Sequence, residues 1–264
     1  MMCALTFGKM KHNLLVGRCL IACLSVLYLL PPVLAQSDST RSSWKGFEKV
    51  SFVFEGRPAY YVKPSVALPG KPWIWRAHFP DWHTDMDSIL VARGFHVAYI
   101  NTNDLLGHPS ALRVWDDFYR FLTHERGFAI KVALEGVSRG GLYVYGWAKR
   151  NPDKVSCIYA EAPVCDPLSW PGGKGKAKPS PDNWALWKSL YGLNDEEAAA
   201  FRDRPLDGLE GLAAYKVPVL HVVSLSDEVV PVEENSLPLL TAYMRLGGPA
   251  TLYSMSRGDQ QLQG

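Results

Sequence analysis

The chain has 264 residues, of which 47% are hydrophobic, 12% aromatic and 20% charged. That mixture is too apolar for a disordered protein and too polar for a polytopic membrane protein, and the length allows one large α/β domain or two small ones. The formal charge is +2, yet residues 1–35 hold Lys9, Lys11 and Arg18 with no Asp or Glu, so the remainder carries 25 basic and 26 acidic residues and no basic footprint for nucleic acid.

Those three cations precede the apolar run Cys19 to Leu30, and Val33-Leu34-Ala35 places small residues at the −3 and −1 positions. This is the pattern of a secretory signal peptide, with cleavage expected after Ala35 and a secreted or periplasmic protein as the product. Two alternatives are a lipoprotein, because Leu20-Ile21-Ala22-Cys23 resembles a lipobox, and an uncleaved anchor. Arg18 interrupts the stretch a lipobox needs, and a run of 12 residues ending at Pro31-Pro32 falls short of the roughly 20 that span a bilayer. Membrane contact is expected only through this segment, if it stays uncleaved. Beyond it only Cys157 and Cys165 remain, without CxxC spacing. An oxidising compartment would permit a Cys157–Cys165 bridge if the chain doubles back after Pro163; otherwise Cys157 is a small buried hydrophobe in a strand.

Phe47 to Phe54 and Pro58 to Val62 read as a hairpin around Glu55-Gly56. Trp73 to Trp75 is a short strand, Met86 to Arg93 a helix stopped by Gly94, and Phe95 to Ile100 a buried strand. Leu112, Trp115, Phe118, Phe121 and Leu122 give Ala111 to His124 a helical period that ends at Gly127. Val132 to Val137, Val155 to Ala160, Val217 to Val223 and Thr251 to Ser254 are further strands, with helices at Leu142 to Lys149 and near Leu237 to Arg245. Such alternation predicts an α/β domain over 36–264: a mostly parallel sheet covered by helices on both faces. An insertion at about 164–210 separates two of these strands. It opens with a loop, Asp166 to Asp182, rich in Pro and Gly, and continues with helical stretches near Trp184 to Leu190 and Glu196 to Phe201. Trp170, Trp184 and Trp187 in it either wall a cleft or pack the insertion onto its own domain.

The chemistry centres on Gly136-Val137-Ser138-Arg139-Gly140-Gly141. A strand runs into Gly-x-Ser-x-Gly and a helix follows at once, the strand–turn–helix setting of a nucleophile elbow. The flanking glycines are expected to let strand and helix approach without Cβ clashes. The Ser138 hydroxyl then stands clear of the sheet, and the Arg139 amide faces a developing oxyanion.

On these residues, and on the order of elements from Phe47 onward, the chain resembles the α/β-hydrolase superfamily. The resemblance implies a serine hydrolase with nucleophile, acid and histidine in that order. Asp227, in the turn after the strand Val219 to Val223, stands where the acid is expected, to orient the histidine and stabilise its imidazolium; a cap on the following helix is its other reading. Glu161, at the end of the preceding strand, is the rival acid. The histidine is expected after the last strand, where such hydrolases often carry Gly-His, but no histidine follows His221. His221 lies inside a strand before the acid and reads as a buried core residue. The expected base would then lie just past Gly264, and without one the chain would be a binding protein on a hydrolase scaffold.

The segment Arg76 to His83 is where the resemblance places a second oxyanion donor. Pro80 has no N–H, leaving His78 or Phe79, while Trp82 and His83 are expected to line the cleft. His78 and His83 lack the carboxylate or cysteine partners a metal would need, and no motif calls for a cofactor. His96 reads as a core residue, and His108 and His124 as loop and helix-end positions. The Arg139 side chain has two open readings: it binds a substrate anion or supports the oxyanion, as the Ser-Arg of glucuronoyl esterases suggests by resemblance, or it pairs with a neighbouring acid. An exported ester hydrolase acting on small or carbohydrate esters is the expected function, with a prolyl-oligopeptidase-like peptidase as the nearest enzymatic alternative.

Overall fold

The computed structural model describes residues 39–255; the signal segment expected at 1–35 and the tail after Met255 lie outside them. The first strands are set by two tight turns. Lys45-Gly46 has φ of 46° and 88°, and Glu55-Gly56 has φ of 49° and 76°. Two successive positive φ values are those of the hairpin turn whose twist matches paired strands. They join β1 (Thr40–Trp44), β2 (Phe47–Phe54) and β3 (Arg57–Lys63) into an antiparallel meander. β1 was not expected, because its sequence is polar and its side chains are mostly exposed.

From there the chain alternates. It runs through β4 (Trp73–Arg76), α1 (Asp85–Ala92), β5 (His96–Ile100), α2 (Pro109–Arg120), β6 (Val132–Val137), α3 (Gly140–Ala148) and β7 (Val155–Glu161). An excursion with α4 (Pro181–Tyr191), α5 (Asp195–Ala199) and α6 (Glu210–Ala214) leads to β8 (Val219–Ser224), α7 (Ser236–Arg245) and β9 (Ala250–Met255). The described strands form one sheet, ordered β1-β2-β3-β5-β4-β6-β7-β8-β9. It is antiparallel as far as β5 and parallel from β5 to β9.

Alternation along each strand divides the core. Trp73, Trp75, Leu134, Ile158 and Val219 join a large cluster with α2, α3, α6 and α7, in which Trp75 stacks on Trp115 at 4.2 Å. Ile74, Val97 and Tyr99 face the other way, against Val91 and Leu90 of α1. Helices thus cover both faces, as a parallel sheet requires. The parallel strands end on one side, and four segments meet there: 77–83 after β4, Ser138 after β6, Glu161 closing β7 and Asp227 after β8. That edge is where open α/β sheets present ligand sites.

The cysteine bridge is not formed. Cys157 and Cys165 are both free. Cys165 instead packs in the large cluster, with its N–H on Asn235 Oδ1 at 2.9 Å.

Candidate active site

Ser138 sits between β6 and α3 with φ of 52°, a conformation that non-glycine residues adopt only under constraint. The constraint is visible: Ser138 N–H donates to Glu161 O at 2.9 Å, and its carbonyl accepts from Gly141 N at 3.0 Å and Val164 N at 2.8 Å. The glycines around it divide their work differently from the expectation. A Cβ on Gly136 would meet Val144 Cγ2 at 2.9 Å, as foreseen for a flanking glycine. On Gly140 it would find only ordinary contacts at 3.5–4.0 Å, with Ala77, His78 Cβ and His78 N. Gly141 is the jammed position, where a Cβ would lie 2.5 Å from Val164 O.

The turn's hydrogen bonds use the amides of Ser138, Gly141 and Leu142 and leave the Arg139 amide out; the His78 amide, near the start of α3, is likewise in none of the loop bonds. The Phe79 amide, the other expected donor, is in none of them either; of the two, His78 N is placed near the elbow, 4.0 Å from where a Cβ on Gly140 would stand. Phe79 has φ of 50°, and its ring lies 4.1 Å from that of His78. His78 is buried, and its Nδ1 lies 2.6 Å from Asn103 Oδ1. Burial, with the nearby Arg139 charge, pushes its pKa down to about 4, so the ring is neutral at pH 7.

Arg76 holds the 79–83 loop in place, a role with no local sequence signal. Its Nε donates to Phe79 O at 2.7 Å, and its Nη atoms donate to Trp82 O and, at 3.5 Å, to His83 O. Nη1 also bonds to Asp87 Oδ2 at 2.7 Å and Glu135 Oε1 at 2.6 Å. All three side chains are fully buried. Burial and the Asp87 charge hold the Glu135 carboxyl well above the usual range, while the two carboxylates outweigh burial at Arg76 and keep it charged.

The expected acids differ in company. Glu161 turns its carboxylate to His83, with Nδ1 to Oε2 at 3.3 Å, and accepts from Tyr159 Oη. Asp227 is buried, and its Oδ1 accepts from Val229 N at 2.8 Å and Val230 N at 2.9 Å. It organises its own turn and does not cap α7, whose cap position is Asn235. The expected cleft residues fall in two groups: Trp82 packs on His83 with ring centres 3.9 Å apart, whereas Trp170 lies 5.0 Å from the Arg139 guanidinium. Trp187 packs on Trp184, Tyr191 and Phe201 within the excursion. Among the described residues no histidine bonds to Ser138. His221 is sealed in the core between Tyr145 Oη at 2.6 Å and Ser236 Oγ at 2.9 Å, a core residue as its strand position implied.

No protein-family model matches the sequence, and no curated protein does. Solved structures do match. An acylaminoacyl peptidase in complex with Z-Gly-Gly-Phe-chloromethyl ketone has a TM-score of 0.58 at 18% identity, over 86% of this chain and 38% of that one. The acylaminoacyl peptidase of Pyrococcus horikoshii gives 0.61 at 16%, over 88% and 39%. A puromycin hydrolase gives 0.57 at 20%, over 83% and 35%. This chain spans less than two fifths of those structures, and at such identities the likeness is one of fold.

Proposed function

From the α/β-hydrolase fold of the chain, we propose that it is a serine hydrolase that cleaves carboxylic esters through an acyl-enzyme on Ser138. The supporting observation is the Ser138 backbone, held at φ of 52° after β6, with the 77–78 backbone packed against the neighbouring Gly140. In this reading Ser138 Oγ bonds to the ester carbonyl and its proton passes to a base. The oxyanion is held by the Arg139 and His78 amides, and the alcohol leaves with the proton. Water then repeats the sequence on the acyl-enzyme and frees the acid. Asp227 is the acid of the relay and orients its base; Glu161, engaged by His83 and Tyr159, is the weaker candidate. An exported protein would meet acylated carbohydrates or similar small esters.

A peptidase reading has its own support, since the matched structures include acylaminoacyl peptidases. Turnover of para-nitrophenyl acetate against an acyl-amino-acid para-nitroanilide by the complete protein separates the two. Ester cleavage that Ser138→Ala abolishes, with the anilide untouched, is the expected result. Faster turnover of the anilide would replace the ester reading with the peptidase one.

A further inference from the structure

Among the described residues, three other cations with little side-chain exposure are answered by carboxylates. Arg76 has Asp87 and Glu135, Arg204 has Asp166 and Asp207, and Lys149 has Asp203. Arg139 has none among the described residues, although burial already lowers its pKa. Its Nε is sealed from solvent without a hydrogen-bond partner, and its Nη1 reaches only Asn183 Oδ1, at 3.5 Å. The guanidinium lies over two aromatic rings, 5.0 Å from the Trp170 centroid and 5.7 Å from that of Phe79. Aromatic faces attract a guanidinium and shield it from water, but they leave its in-plane donors unanswered. Holding a cation this way is costly unless an anion completes it. Of the two sequence readings of this side chain, pairing with a protein acid finds no acid among the described residues.

We propose that the terminal guanidinium nitrogens of Arg139 bind a free carboxylate on the substrate, beside the acyl group that Ser138 attacks. The proposal rests on the serine-hydrolase reading and narrows it to esters that carry an acid. Phe79 and Trp170 present their rings to the guanidinium, and Asn183, from α4, is its polar neighbour. The carboxylate belongs either to the acyl part or to the alcohol part of the ester, and matched substrates tell these apart.

The experiment compares kcat/KM for para-nitrophenyl hydrogen glutarate with para-nitrophenyl valerate, and for para-acetoxybenzoate with para-acetoxybenzamide. The complete protein is expected to prefer the carboxylated member of one pair by about tenfold or more, the scale of a charge-assisted hydrogen bond. The glutarate pair reports the acyl side and the benzoate pair the alcohol side. In Arg139→Gln that ratio is expected to fall to about one through KM, and Arg139→Lys to keep part of it, since Lys retains the charge but not the fork. A ratio of about one in both pairs for the complete protein overturns the proposal even if neither variant folds. So does a ratio that survives in a folded Arg139→Gln. Fluorophosphonate labelling of Ser138 in the same preparation separates the layers. A labelled protein without preference loses only the carboxylate, whereas one neither labelled nor active loses the hydrolase reading and this proposal together.

Discussion

Gly140 and Gly141 are adjacent and identical in type, yet the contacts around them assign different duties. A methyl on Gly141 would sit 2.5 Å from a backbone carbonyl that cannot swing away. Gly141→Ala is expected to lose about 3 kcal/mol or more, at the upper end for overpacking, or to fail to fold. A methyl on Gly140 meets nothing closer than 3.5 Å, so Gly140→Ala is expected to stay within about 1 kcal/mol of the parent. It would, however, stand 4.0 Å from His78 N, beside the proposed oxyanion amide. Urea melts paired with ester assays check both. The expected pattern is stability lost at Gly141 and turnover lost at Gly140; the reverse would refute this division. The motif was legible because its spacing is local. Which glycine is jammed was not, because the obstacle at Gly141 is Val164, brought over by β7.

Among the elements, most strands and helices were legible from apolar runs and their periodicity, and the failures are informative. β1 has no apolar alternation; cross-strand pairing from Thr40↔Ser51 to Trp44↔Phe47 and the Lys45-Gly46 turn create it. The stretch read as one helix to His124 keeps its apolar face but leaves the α form after Arg120. A wider turn over Phe121–Glu125 follows, with Arg126 N–H donating to Phe121 O. Periodicity reports the face a helix buries, not the register of its hydrogen bonds. The segment from Arg76 to His83 was foreseen to supply an oxyanion donor and line the cleft, but its support was not. Arg76 follows three apolar strand residues, and its partner Glu135 is 59 positions away. Breaking that buried pair leaves charges without partners, so Arg76→Leu is expected to cost about 3–5 kcal/mol. Its urea midpoint checks this, and an unchanged midpoint would show that the cluster holds nothing.

For the whole molecule, pH and export supply the tests. Burial holds His221 at about 3, and His78 and His96 at about 4. All lie below the 6.5 or so of a histidine in an unfolded chain. The unfolded state therefore takes up protons first. The histidine contribution is complete above about pH 6.5 and is lost as pH falls towards the folded values, with His221 alone worth up to about 1.4 kcal/mol per pH unit. Urea midpoints are expected to drop steadily from pH 7 to 5, and less steeply in His221→Gln; equal slopes would mean that His221 does not drive the loss. At the N-terminus, the proposed signal peptide requires the exported protein to begin at Gln36. Edman sequencing of secreted material would show that residue first, and a chain still beginning at Met1 would refute cleavage.

The most direct test of the central claim is covalent labelling of the complete protein with a fluorophosphonate, read by peptide mass spectrometry. An elbow that presents an activated serine predicts one adduct, on Ser138, absent from Ser138→Ala. A folded protein that stays unlabelled would contradict it and leave a hydrolase scaffold that binds without catalysing.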